Sequence, residues 1–367
     1  MKRAIMEKGA AMKKKKSVNR SMAGKLLSLV LTIMLAFSLA ACSKTGDNGG
    51  DSGAGNDNAN NVQESSTEYV ARDIKVAALK GPTAIGMVKL MDDAQNKKAA
   101  NNYEFKIAAA ADEFTASLIK GDIQLAAMPC NAAATLYNKS NGKIKVIGIN
   151  TLGVLYVLDT GTTVKSVADL KGKTVYLTGK GTTPEYTLRY LLKKAGLDPD
   201  KDVKLEFKSE AAEVAAIMAK GDEDVIAMLP QPYVTTVMMN NSKVRIAMDV
   251  TKEWEKLAGS DSTVVTGVIV VNADYYNNNR DAVNKFMEEY KASVEYAVGN
   301  VDEAANLVEK FDIFKAAVAK KAIPYCNITY VTGNDMKTKV ENYLKVLYDE
   351  NPAAVGGKMP DSSFYGL

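Results

Sequence analysis

The chain has 367 residues, and the part from Glu68 onward has no low-complexity tract, which is enough chain for two domains of ordinary size. Histidine is absent, which excludes Ser-His-Asp and Cys-His catalysis and any histidine-ligated metal site. Nine of the 47 basic residues and one of the 43 acidic residues lie in residues 1–41, so the formal charge of +4 becomes −4 without them. No basic tract is left for a nucleic-acid partner.

Residues 1–41 have the parts of an export signal. MKKKKSVNR is positively charged, and the apolar run from Leu26 to Leu39, about 14 residues, is shorter than the roughly 20 that a membrane span needs. The sequence LAAC, ending at Cys42, resembles a bacterial lipobox, in which the cysteine receives a diacylglyceryl group. The alternative, a buried cysteine closing a core helix, does not fit the residues that follow. Translation from Met1 and from Met12 both remain open.

Residues 42–67 are rich in Gly, Asp, Asn and Ser, which predicts a flexible tether. Beyond it, the chain has only two cysteines, Cys130 and Cys326, far apart and without CxxC spacing. A disulfide is open to an exported protein, but two free, buried thiols are the favoured prediction.

Strands and helices alternate through the first half of the chain. Strands are predicted for DIKVAAL, YEFKIAA, IQLAAM and KIKVIGIN, and helices for TAIGMVKLMDDAQ, DEFTASLIK and NAAATLYNK. This order predicts a mostly parallel sheet with helices on both faces.

The same order restarts after residue 172. Strands are predicted for KTVYLTG, DVKLEFK, DVIAML and KVRIAMDV, and helices for TPEYTLRYLLKKAG, EAAEVAAIMAKG and PYVTTVMMN. An offset of about 100 residues pairs Thr83 with Thr183 and Glu113 with Glu213, and it pairs the Lys-Gly-Asp turn at Gly121 with its repeat 100 residues later. A Gly-Asp turn alone is only a common helix stop, but coincident offsets at several elements predict two similar lobes.

Two apolar runs, at 152–161 and 262–276, are predicted to cross between the lobes and to act as a hinge. After them only helices are predicted, such as RDAVNKFMEEYKASVEYAVG, DEAANLVEKF and NDMKTKVENYLKVLYDE, and these are predicted to pack on the first lobe. The expected fold is therefore α/β, with two doubly wound lobes: residues 68–157 and 265–367 form lobe 1, and residues 158–264 form lobe 2.

Ligands of such lobes bind beyond the carboxyl ends of the strands, and four strand-to-helix corners lie there. Thr83, Asn131 and Thr183 are predicted helix N-caps, and Pro184 and Pro232 fit a first helical turn. Unpaired N–H groups at helix starts would suit an anionic head group. For any one corner taken alone, helix capping without a ligand is the favoured interpretation. The 179–184 loop is the exception, because its two glycines let the backbone approach a ligand closely. The candidate ligand-binding residues are Lys80, Gly81, Pro82, Thr83, Cys130, Asn131, Gly179, Gly181, Thr182, Thr183, Gln231, Pro232 and Tyr233.

Residues 166–207, SVADLKGKTVYLTGKGTTPEYTLRYLLKKAGLDPDKDVKLEF, resemble the second-lobe signature of ABC-importer solute-binding proteins of the nitrate, sulfonate, taurine and thiamine-precursor branch. KGDIQLAAMPCNAAATLY and KGDEDVIAMLPQPYVTTVM are similar to the paired corners of that family. The resemblance, over about residues 70–350, implies a type II periplasmic-binding-protein (venus flytrap) fold and delivery of a solute to permease and ATPase subunits. By position, it places ligand contacts at Thr83, Asn131, Thr182, Thr183 and Gln231.

The leading hypothesis is a monomeric receptor, anchored by lipid on Cys42 to the outer face of the cell membrane. It would bind a small polar solute that is expected to be anionic and to resemble a sulfonate, a carboxylate or a thiamine precursor. Catalysis, a cofactor and a metal ion are not expected. The alternatives are an enzyme on the same fold, of the pyrimidine-synthase or menaquinone-pathway kind, and a surface solute sensor. The sequence does not name the solute.

Overall fold

The computed structural model describes residues 69–220, 224–259 and 262–367. The predicted signal, the tether and Cys42 lie outside these residues. In the described part, no helix is both long enough and apolar enough to cross a membrane.

The first half of the chain forms the predicted alternation of strands and helices. The strands are β1 (Asp73–Leu79), β2 (Asn102–Ala108), β3 (Leu125–Pro129) and β4 (Ile144–Thr151), and the helices are α1 (Pro82–Ile85), α2 (Val88–Gln95), α3 (Asp112–Lys120) and α4 (Cys130–Lys139). β1 pairs in parallel with β2 and β3. Its central residues are buried on both faces, as expected of a strand covered by helices on each side.

The second alternation follows, and a C-terminal helical part completes the chain. Its first elements are β5 (Leu155–Asp159), β6 (Thr174–Leu177), α5 (Thr183–Lys194), β7 (Lys204–Phe207), α6 (Ala211–Ala219), β8 (Ile226–Pro230), α7 (Tyr233–Asn240), β9 (Arg245–Asp249) and α8 (Val250–Ala258). The remaining elements are β10 (Gly267–Asn272), α9 (Ala273–Asn278), α10 (Arg280–Gly299), α11 (Val301–Lys310), α12 (Ala316–Ala322), β11 (Ile328–Val331) and α13 (Gly333–Glu350).

Two sheets result, and their strand orders correspond. The first sheet is β2-β1-β3-β10-β4-β11, and the second is β7-β6-β8-β5-β9. One strand of each sheet arrives by a crossing from the other sheet. In the first sheet, β10 pairs antiparallel with β3 and β4. In the second sheet, β5 pairs antiparallel with β8 and β9. The two similar doubly wound lobes are thus confirmed. Both sheets are mixed rather than nearly all parallel, because a crossing strand enters from the opposite direction.

The repeat extends to individual side chains. Glu113 of α3 accepts hydrogen bonds from the N–H groups of Ala109 and Ala110, at 2.9 and 3.0 Å. Glu213, at the equivalent place in α6, accepts from the N–H and hydroxyl of Ser209. Both carboxylates satisfy donors of the turn that leads into their helix, where negative charge is favourable. The predicted pairing of Glu113 with Glu213 therefore has a physical basis.

The C-terminal helices pack on the first sheet, as predicted, but the prediction that only helices follow the crossings is wrong, because β11 pairs with β4. Ser293 of α10 donates a hydrogen bond to the carbonyl of Gly86 at 2.7 Å and accepts one from Leu90 N–H. The last helix, α13, also reaches the second sheet, because buried Tyr343 lies against Trp254 of α8 with ring centroids 5.4 Å apart. The exact residue limits of the two lobes stay a prediction. In the structure, the chain passes from β4 of the first sheet to the second sheet, which it enters at Leu155.

Cys130 and Cys326 are both buried and unpaired, as predicted. They lie in different apolar clusters. Burial raises the pKa of each thiol, so both remain protonated at neutral pH.

Candidate functional site

The corner after β1 is shaped by Gly81. Its φ of 135° and ψ of −153° are accessible mainly to glycine, and its carbonyl accepts hydrogen bonds from Ala84 and Ile85 at 3.0 and 3.2 Å. Thr83 was predicted to cap α1, and this is wrong: its hydroxyl donates to the carbonyl of Leu79 at 2.8 Å. Gly81 is the N-cap residue instead.

The corner after β3 is buried. The N–H of Cys130 donates to the carbonyl of Thr266 at 3.1 Å, and the thiol lies in the core, so neither is free to contact a ligand in this conformation. Asn131 was predicted to cap α4, but Pro129 is the N-cap residue. The amide of Asn131 donates to the carbonyl of Ala354 at 3.3 Å, so this side chain serves tertiary contacts rather than its own helix.

The corners after β3 and β6 touch each other. The hydroxyl of Thr183 donates to Oδ1 of Asn131 at 2.9 Å, and each residue is 4% exposed. The prediction that Thr183 caps α5 is wrong, because Thr182 is the N-cap residue and Thr183 the first helical residue. Pro184 lies in the first turn, as predicted.

A carboxylate of the protein itself occupies the start of α5. Glu185 is 8% exposed, and one of its oxygens accepts from the N–H of Gly181 at 2.6 Å. Its other oxygen accepts from Nε of Arg189 at 2.8 Å. This negative charge lies where an anionic head group was predicted. The spacing Thr182-x-x-Glu185, which resembles a capping box, is the sequence signal that would have found it.

The corner after β8 is also internally bonded. Oε1 of Gln231 accepts from the N–H and the hydroxyl of Thr235, at 3.3 and 2.8 Å, and the Gln231 N–H donates to Val154 O at 3.0 Å. Pro232 is the N-cap residue of α7, so its predicted place in the first turn is wrong. The ring of Tyr233 meets Phe314 edge-on, with centroids 5.5 Å apart. This is a second contact between the two lobes.

The lysines of the corners lie outside the buried region. Lys80 is 3.7 Å from Asp312, and both side chains are exposed. Nζ of Lys180 lies 5.9 Å from the ring centre of Phe207. Of the candidate ligand-binding residues, those with buried polar side chains are uncharged: Thr83, Asn131, Thr183 and Gln231.

Several buried polar atoms at the crossings have no hydrogen-bond partner among the described residues. They include Oδ1 of Asn150 and Oγ1 of Thr151, Thr251 and Thr266. Asn150 is 1% exposed, and its amide donates to the carbonyl of Thr83 at 3.2 Å, which places it beside the first corner. A buried polar atom without a partner costs about 1–3 kcal/mol, so these atoms are candidates for hydrogen bonds to a solute. These residues were missed from the sequence.

The two sheets, their paired corners and the double crossing define the class: a type II periplasmic-binding-protein fold, as in solved aliphatic sulphonate-binding proteins. Residues 141–304 match the family model described as NMT1/THI5 like. The resemblance inferred from the sequence is thereby confirmed, because this family and the structural neighbours match the branch of binding proteins that it suggested. No curated protein sequence is a significant match.

Several solved structures are similar over most of the chain. An ABC transporter protein from Parabacteroides distasonis is 28% identical, with 80% of this chain and 98% of that one covered and a TM-score of 0.67. The periplasmic aliphatic sulphonate-binding protein of Escherichia coli is 15% identical, with 79% and 92% covered and a TM-score of 0.63. The periplasmic nitrate-binding protein of Synechocystis is 13% identical, with 72% and 74% covered and a TM-score of 0.52. Most of these neighbours are binding proteins rather than enzymes.

Proposed function

We propose that the chain is the solute-binding receptor of an ABC importer. The observation that carries the proposal is the direct contact of the strand-end corners of the two sheets, where Thr183 hydrogen-bonds Asn131. Corners that meet at a double crossing can part and close again about it without disrupting either sheet. The receptor would capture a solute between the open lobes, close, and dock on its permease. The names of the similar binding proteins support this role.

The solute is proposed to be small and polar, of the sulfonate, carboxylate or thiamine-precursor kind. Glu185 already supplies a negative charge at the start of α5, and Gln231 supplies an acceptor at the start of α7. A charged solute would therefore be bound by uncharged side chains rather than by a buried ion pair. The unpartnered oxygens of Asn150 and Thr266 would bind hydrogen-bond donors of the solute.

We further propose that a lipid on Cys42 anchors the receptor to the outer face of the cell membrane. The lipobox-like LAAC sequence after an apolar run of signal length supports this part. Growth with a radiolabelled fatty acid should label the wild-type chain and not Cys42→Ala. Labelling of both chains, or of neither, would contradict lipid attachment at Cys42.

The test of the binding function starts with the purified chain and mass spectrometry of the solute that it retains. The same solute, and a panel of sulfonates, carboxylates and pyrimidines, would then be tested by thermal unfolding. A ligand at about 100 times its Kd should stabilise the folded state by about 2.7 kcal/mol. Asn150→Leu should weaken this stabilisation, whereas Thr115→Val on α3 should not. No retained solute and no stabilisation by any panel member would count against a receptor.

A further inference from the structure

A groove lies between α7 and the turn that follows α12. One wall is formed by α7 and by β9, a strand of the second sheet. The other wall is formed by α12 and the turn Ile323–Tyr325, which leads into β11 of the first sheet. The groove has a volume of about 700 Å³. Sites for small molecules commonly enclose about 300–1,000 Å³. The groove includes one of the thirteen candidate residues at the corners, Gln231, so it adjoins the proposed solute cleft; its other lining residues are not candidates.

Exposed apolar side chains gather in this groove. Met238, Met239 and Tyr325 are 40%, 43% and 53% exposed, and they are three of the seven large apolar side chains exposed in the described part of the chain. Ile246 of β9 adds to the same surface. Methionine side chains are flexible and polarizable, so neighbouring methionines adapt to apolar ligands of different shape. Such a concentration of apolar surface is typical of a binding site.

A positive charge lies beside the apolar surface. Both Lys320 and Lys321 line the groove, and Nζ of Lys320 lies 2.7 Å from Oδ2 of Asp302. Lys321 makes no ion pair with any of the described residues. The groove therefore pairs an adaptable apolar wall with one uncompensated cation.

Direct contacts also join the elements that form the two walls. The hydroxyl of Tyr156 in β5 donates to the carbonyl of Tyr325 at 3.1 Å. Close to the start of α7, the ring of Tyr233 packs on Phe314. A molecule in the groove contacts both lobes at once, so it binds only while these walls are together.

We propose that this groove is a second binding site, for a small organic anion with an apolar body, of the medium-chain carboxylate class. The apolar body lies on Met238, Met239 and Tyr325, and the acid group lies at Lys321. The concave shape favours a small molecule over the flat surface of a protein partner. Apart from Gln231, the residues that line the groove are not candidate residues of the cleft, so the groove can be tested whichever solute the cleft takes.

The test is methyl NMR of the purified full chain with ¹³C-labelled methionine methyl groups, titrated with octanoate. Met238→Leu and Met239→Leu assign the two signals. Octanoate should shift both signals in a saturable way, whereas octanamide, of equal length but uncharged, should bind about threefold more weakly, the difference expected of one partly exposed ion pair. High salt should reduce that difference.

Lys321→Gln should remove the preference for octanoate over octanamide, and Lys139→Gln, at the exposed end of α4, should preserve it. Octanoate that shifts neither signal would overturn the proposal, and so would equal affinity for octanoate and octanamide in the wild-type chain. Shifts of the two signals only on addition of the permease would also overturn it, in favour of a protein-docking surface. Each result is independent of whether a solute is found for the cleft.

Discussion

The hydroxyl of Thr183 donates a hydrogen bond of 2.9 Å to Oδ1 of Asn131, although the two residues belong to helices that follow strands of different sheets. Both residues are almost fully buried. In this structure the corners predicted to hold a solute are therefore bonded to each other. Any separation of these two corners would have to break this bond.

A double-mutant cycle on this pair should show coupling. Asn131→Ala and Thr183→Val each remove one partner, and the double variant should be about 1 kcal/mol more stable than additivity predicts, the net value of one buried hydrogen bond. Urea unfolding of the four proteins measures it. As the control pair, Thr183→Val and Thr135→Val should be additive, because Thr135 bonds Ala354 and not Thr183. Coupling near zero in the first cycle would contradict the contact.

Glu185→Gln should lower the free energy of unfolding by about 1 kcal/mol, since it removes a charge that is bonded to Gly181 N–H and Arg189 at a helix N-terminus. Equilibrium unfolding in urea measures the loss. Glu253→Gln is a matched control: Glu253 lies in the first turn of α8 and pairs with Lys256 at the surface. The control should cost under about 0.5 kcal/mol, as surface pairs usually do. Equal losses in the two variants would show that Glu185 has no special role.

Gly153, in the crossing between β4 and β5, has no room for a side chain. A Cβ there would lie 1.6 Å from Oγ1 of Thr251 and 2.9 Å from its Cβ. Gly153→Ala should therefore cost about 1–3 kcal/mol, the usual range for overpacking, and displace α8 from the crossing. Thermal unfolding measures the cost.

Thr251→Ala in the Gly153→Ala background should restore part of the stability, because it removes the nearest of the clashing atoms. Gly299→Ala is the control, since a Cβ at Gly299 meets no atom within 4 Å. Full stability of Gly153→Ala would mean that the crossing is looser than the structure shows.

Much of the fold could be predicted from sequence, because strand and helix periodicities are local and the offset of about 100 residues repeats in both lobes. The starts of the helices were less predictable. Asn131 and Thr183 have the chemistry of N-caps, but their side chains bond across the lobes, and residue spacing alone does not reveal such a contact. The sequence also does not show that the side-chain oxygens of Asn150 and Thr266 lack partners, because these atoms become buried only when the crossings assemble. The groove beside Lys321 likewise needs the turn after α12 to meet α7.

Acid should weaken the contact between α4 and the C-terminal turn Ser362–Phe364, which Asp361 precedes. Asp361 accepts hydrogen bonds from Ser363, through its hydroxyl and its N–H, and from the Tyr137 hydroxyl at 2.7 Å. These bonds favour the carboxylate and lower the pKa of Asp361 from 3.8 to about 2. A lowered pKa in the folded state gives stability that is fully present above pH 3.8 and is lost as the pH falls through about 2.

Asp361→Asn should therefore melt below the wild-type chain at pH 7, and the difference should shrink between pH 4 and pH 2, the interval set by the ordinary and lowered pKa values. Thermal unfolding at a series of pH values measures it, and differences between the two proteins cancel the effects of other carboxylates. In Tyr137→Phe, one donor is lost and the pKa of Asp361, followed by carboxyl-carbon NMR, should rise toward 3.8. A melting difference that is constant from pH 7 to pH 2 would show that the stability lost in the variant does not come from the charge of Asp361.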